Sequence, residues 1–127
     1  LGANYEQNIG MGTFKFNVTY SWLDDMAQDG NTLARYTAPA STPGGQGFTA
    51  AQAAVLLDAT TTKAGGYTNA RAALAFGPDE NYEIAVWGKN IFDVRRTGYV
   101  LYLGGINYVG ATWNDPATYG VTVTAKF

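Results

Sequence analysis

The chain of 127 residues contains no Cys and no His and carries a formal net charge of −2. These absences exclude disulfides and thiolate sites, remove the commonest general base and transition-metal ligand, and leave no basic surplus to attract nucleic acid. Sixteen Gly, nine Tyr, six Phe and three Trp, set against eight basic and ten acidic residues, suit a β-rich protein of an oxidising envelope compartment, and no apolar run is long enough for a membrane helix.

The chain opens on Leu1 with no initiator Met, basic start or signal-peptide core, and a strand pattern is already running, so it reads as a piece of a longer protein. Leu1, Ala3, Tyr5 and Ile9 share one parity, with Gln7 a polar intruder; Gly2, Asn4, Glu6 and Asn8 share the other. Gly10-Met11-Gly12 predicts a short turn. The next strand alternates without a break: Phe14, Phe16, Val18, Tyr20 and Trp22 on one face, Thr13, Lys15, Asn17, Thr19 and Ser21 on the other. An Ile9 to Phe14 pairing would set Leu1 by Trp22, Ala3 by Tyr20 and Tyr5 by Val18, with every apolar residue on one side.

Residues 23–66 form a long irregular stretch. Within it Thr49-Ala50-Ala51-Gln52 is a capping box ahead of an Ala-rich run, with Phe48 placed as a hydrophobic staple, which predicts one short helix near residues 50–58. A connection of this length counts against a compact soluble domain, whereas outer-membrane barrels carry such loops on their external side. A third strand is expected from about Tyr67 to Phe76, then a turn at Gly77-Pro78-Asp79-Glu80-Asn81, then a fourth strand from Tyr82 to about Phe92. A Phe76 to Tyr82 pairing would bring Trp87, on the wet parity, opposite Arg71; cation–π stacking and ordinary packing are both open there. Residues 93–116 make a second long connection in which Tyr99 to Leu103 reads as a strand extension. All four prolines (Pro39, Pro43, Pro78, Pro116) fall outside the expected strands, as ladder hydrogen bonding requires.

From Thr118 the chain alternates strictly to its last residue: Tyr119, Val121, Val123, Ala125 and Phe127 against Thr118, Gly120, Thr122, Thr124 and Lys126. Ten residues suffice for a tilted strand to cross a bilayer, though a terminal strand of a soluble sandwich would show the same pattern. The connections decide between them, because they run short, very long, short, long, with both long ones at the same end of the strands. A sandwich has no reason for that asymmetry; a barrel with tight periplasmic turns and large external loops does. The expected fold is therefore all-β: an antiparallel transmembrane barrel fragment of about five strands with one short loop helix. Phe14, Phe76, Tyr82 and Phe127 would fall at the periplasmic ends of the lipid face and Tyr20, Trp22 and Tyr119 at the outer ends.

Tyr82-Glu83-Ile84-Ala85-Val86-Trp87-Gly88-Lys89-Asn90-Ile91-Phe92-Asp93, together with Asp115-Pro116-Ala117-Thr118-Tyr119-Gly120 leading to Phe127, resembles the C-terminal barrel segment of TonB-dependent outer-membrane receptors. The first motif matches the family's aromatic-led strand ending in Asn-Leu-x-Asp, and with the weaker match of Tyr67 to Phe76 the resemblance covers about the last sixty residues. The motif residues are Asn90, Asp93, Pro116, Tyr119 and Gly120. Ala117 stands where family members commonly carry Arg, so any contact of that Arg is absent or replaced. The resemblance implies that residues 1–127 belong to a 22-stranded barrel, with the plug domain and earlier strands lying outside this sequence. It implies a transporter in the outer membrane of a Gram-negative bacterium, taking up a ferric siderophore, cobalamin or a carbohydrate as a small nutrient ligand. Its partners would be outer-membrane lipid, the TonB complex through the plug, and the barrel-assembly machinery, which would read Tyr119, Val121, Val123 and Phe127 as a terminal signal.

The alternative in another class is a passive porin or a structural or adhesive barrel. An enzyme is disfavoured, and no residue is nominated as catalytic or cofactor-binding: Asp24-Asp25 sits where a strand leaves for a loop and Asp79-Glu80 sits in a turn, positions of solvated charge. Asp24, Asp25 and Asp29 have a spacing only suggestive of a cation site, without the Gly such loops need at the turning position.

Overall fold

The computed structural model describes residues 1–28, 33–106 and 108–127. In chain order its strands are β1 (Gly2–Asn8), β2 (Gly12–Leu23), β3 (Met26–Ala27), β4 (Thr61–Thr62), β5 (Gly65–Phe76), β6 (Tyr82–Lys89), β7 (Thr97–Leu103), β8 (Tyr108–Trp113) and β9 (Thr118–Ala125). Its α-helices among the described residues are α1 (Leu33–Thr37) and α2 (Ala50–Ala59). The chain divides into two compact units: Leu1–Leu23, Gly65–Arg95 and Asp115–Phe127 form the first, Asp24–Ala64 and Arg96–Asn114 the second.

The first unit is an antiparallel sheet in the order β1-β2-β5-β6-β9. The β1–β2 register differs from expectation: Ala3 pairs with Val18, Tyr5 with Phe16 and Gln7 with Phe14. The turn is one pairing tighter than the Gly-Met-Gly reading. The Ile9 N–H donates to the Gly12 carbonyl at 2.9 Å, leaving a two-residue loop whose first residue, Gly10, takes φ 84. A shift of two residues preserves parity, so the faces are those the alternation predicts. Gln7, the intruder, accepts the Tyr5 hydroxyl proton.

The expected Phe76 to Tyr82 pairing is present, and it aligns Leu74 with Ile84 and Ala72 with Val86. β9 continues the rows, Ile84 beside Val123 and Val86 beside Val121. β6 stops at Lys89 rather than near Phe92, because Asn90 adopts φ 48, a left-handed conformation no strand can contain. The hairpin turn holds two consecutive left-handed residues, Asp79 (φ 52) and Glu80 (φ 53). Glu80 accepts the Thr13 hydroxyl proton and lies 3.7 Å from Lys15 Nζ, bonds that offset a conformation costly outside glycine.

Burial across this sheet is inverted relative to a water-facing protein. Val121 and Val123 are 66% and 72% exposed, and Tyr5, Trp22, Ile84 and Val86 are also exposed, while Ala73, Ala75 and Ala85 on the opposite face are buried. Small residues there lie beneath long polar ones, among them Arg71, which pairs with Glu83 across the β5–β6 ladder. The two aromatic sets occupy opposite halves of the strands. Phe76 and Tyr82 stack with centroids 5.8 Å apart near the turn end, and Tyr20 and Trp22 approach to 6.5 Å at the other.

In the second unit α2 starts where the capping box places it. Thr49 Oγ1 accepts the Gln52 N–H at 3.3 Å and Gln52 Oε1 accepts the Thr49 N–H at 3.0 Å. Phe48 lies beside Tyr36, centroids 6.2 Å apart. Two features depart from the sequence reading. There is a second helix, α1, too short to show a period, whose Tyr36 is completely buried. The connection of residues 93–116 holds a full hairpin, with β7 paired to β8, rather than one strand extension. Val100 of β7 is buried, and Tyr36, Ala53, Thr60, Thr62, Arg96 and Val100 are the buried residues of this unit among those described.

Candidate functional site

The motif residues converge where β6 ends and β9 begins. The left-handed turn at Asn90 needs a side chain that bonds locally, and Asn90 does so while almost fully buried. Its Nδ2 donates to the Val94 and Asp115 carbonyls, each at 3.1 Å, and its Oδ1 accepts the Val94 N–H at 3.0 Å. Its own N–H donates to Asn69 Oδ1 at 2.9 Å, and the Ile91 N–H donates to the Thr68 carbonyl at 3.0 Å. One amide thus joins the end of β6, the first part of the second excursion and the chain returning to β9.

Asp93 completes the clamp from a second left-handed position, φ 49. Its Oδ1 accepts the Ala117 N–H at 2.9 Å and its Oδ2 lies 3.1 Å from Arg95 Nη2. The backbone N–H of Ala117, then Arg95, hold the carboxyl below the ordinary aspartate range. Position 117 therefore contributes a backbone bond here, and Asp93 takes its cation from Arg95. Pro116 accepts the Thr118 hydroxyl proton at 3.2 Å.

Tyr119 lies on the apolar face, and its hydroxyl donates to the Ile91 carbonyl at 2.8 Å. Gly88 makes room for it: a Cβ there would stand 2.6 Å from Ile91 Cγ2 and 2.9 Å from the Tyr119 ring. Gly120 plays the same part on the polar face, where a Cβ would clash with the Trp87 indole. The sequence left Trp87 opposite Arg71, and the register confirms that pairing, but Arg71 turns to Glu83. The cation over the Trp87 ring is Lys89, 5.9 Å from the centroid, and Trp87 Nε1 donates to Thr122 Oγ1 at 3.1 Å. A carboxylate within reach of Arg71 outcompetes a ring for a guanidinium. Arg95, Lys89 and Asn69 were missed as partners because nothing in their spacing marks them.

The terminal residues Tyr119, Val121 and Val123 are exposed along β9, and Phe127 lies beyond the last ladder bond, in which the Lys126 N–H donates to the Asn81 carbonyl at 2.9 Å. Of the acidic candidates, Asp25 accepts the Ala64 N–H and Asp24 accepts the Asp25 N–H at 2.8 Å. Asp29 lies outside the described residues. Among the described residues no group of His, Cys, Asp and Glu is arranged to hold a metal ion. What the assembled motif does chemically is fix backbone: it pins the strands flanking the second excursion. No family model, curated protein or solved structure matches the chain.

Proposed function

We propose that this chain is the C-terminal part of the barrel of a TonB-dependent outer-membrane receptor, where it supplies barrel wall, lumen lining and two external excursions of a nutrient transporter. The observation carrying this reading is the inverted sheet. An apolar face of Tyr, Trp, Val and Ile stands exposed while alanines are buried under the polar one. In water that face would cost about 25 cal/mol for each Å² left uncovered, whereas hydrocarbon makes it the favourable side. Both long connections leave the sheet from one end, and the aromatic sets sit at opposite ends, supporting a span with interfacial rings. The Asn90 and Asp93 clamp supports the family reading specifically, because the motif residues of two separate stretches act as one device. A passive porin or adhesive barrel fits the sheet equally but gives no reason for the clamp.

A full-length gene encoding a plug domain upstream, whose deletion abolishes growth on one scarce nutrient supplied at low concentration, is the expected result. A soluble, monomeric fragment melting cooperatively without detergent would overturn the membrane reading. Replacing Phe127 by Ala in the full-length protein should lower its outer-membrane level more than Phe48→Ala. Equal levels would remove only the assembly-signal role.

A further inference from the structure

We propose that the two excursions, residues 24–64 and 96–114, fold and move as a single body rather than as two independent loops. No piece of this unit is stable alone. α1 has five residues and α2 has ten, both below the length at which an isolated helix holds in water, and a lone two-stranded ribbon such as β7–β8 is marginal. Each part therefore needs the others.

The contacts that join them lie within the unit. Tyr36 of the first excursion is fully buried and meets Tyr102 of the second edge-on, with ring centroids 6.0 Å apart. The Tyr102 hydroxyl donates to Gln46 Oε1 at 3.2 Å. At the opposite end of β7 the Thr97 hydroxyl donates to Thr62 Oγ1 at 3.2 Å, and Thr62 also accepts Gln28 Nε2 at 3.1 Å. Val100, between these two joints, is buried. A hairpin fastened at both ends and packed along its middle is one half of a shared core. Any rearrangement of these excursions then displaces them together, and the hairpin cannot lift alone without exposing Tyr36. The proposal rests on contacts inside this unit, so it stands or falls separately from the membrane reading.

Hydrogen exchange on the full-length protein in detergent tests it. Tyr102→Ala should speed exchange across residues 33–59 by about tenfold or more, while Tyr102→Phe, which keeps the ring, stays near the wild-type rate. Acceleration confined to residues 97–113 would overturn the proposal. Should Tyr102→Ala fail to fold, the pair Thr62→Cys and Thr97→Cys decides. A disulfide forming in native oxidising buffer, with exchange in α1 and α2 unchanged or slower, is expected. Thiols that stay free, or a bridge that loosens α1 and α2, would refute it.

Discussion

The five-stranded sheet and the two excursions bury different kinds of residue within one chain. In the excursions Tyr36 is completely buried and Val100 nearly so, while Trp113, Tyr108 and Val55 stay exposed. In the sheet Trp22, Val86, Val121 and Val123 are exposed, and the buried side chains are small, among them Thr13, Ala73, Ala75 and Ala85. Apolar and polar residues alternate along the sheet strands, but that pattern alone does not say which face meets which solvent. What separates them is volume. The polar face of the sheet carries Ala73, Ala75 and Ala85, small enough to be covered by neighbouring polar side chains, and the apolar face carries rings and branched chains that nothing within its own unit covers.

The contrast breaks most sharply at Tyr36. Tyr36→Ala should cost the excursions about 3 to 5 kcal/mol and open them to limited proteolysis while the sheet stays protected; cleavage spread evenly over the chain would erase the distinction. Next comes a charge on the exposed sheet face. Val121→Arg should lower stability in lipid vesicles by about 2 to 4 kcal/mol, whereas Thr122→Arg on the neighbouring polar position should cost far less. Equal effects in a denaturant titration would mean that both faces of β9 see the same medium.

A smaller effect belongs to the clamp. Asn90→Ala should cost about 1 to 3 kcal/mol by leaving the Val94 and Asp115 carbonyls without their shared donor. Asn90→Gly, which tolerates the left-handed backbone, should recover only the strain part of that loss. Smallest is the pH response of Asp93. Its folded carboxyl titrates below the ordinary aspartate value, so its contribution is fully present above that value and is lost as pH falls through the depressed folded one. Exchange of the Ala117 amide should quicken over that acid window relative to reference amides, and Asp93→Asn should flatten the difference. Lys63, raised chiefly by its bond to Asp58, carries the opposite sign: its contribution is present below the ordinary lysine value and fades as pH rises through the folded one.

Much of the sheet could be read in advance, because a period of two is a one-dimensional signal that survives without knowledge of neighbours. The strands, their faces, the Phe76 to Tyr82 register and the capping box at Thr49 were all local properties of consecutive residues. The residues of the clamp could be named from the motif, but their work could not be seen, since Asn90 reaches Asp115 and Asp93 reaches Ala117 across the whole second excursion. Tertiary structure alone decided the tighter first turn and the stop at Lys89, which hang on backbone dihedrals that several residue types share. It alone decided that Arg71 chooses Glu83 and leaves Trp87 to Lys89, a competition between partners that sequence distance does not rank. And it alone decided that α1, α2 and the β7–β8 hairpin share one core, because each piece is too short to declare itself and becomes stable only where the others bury it.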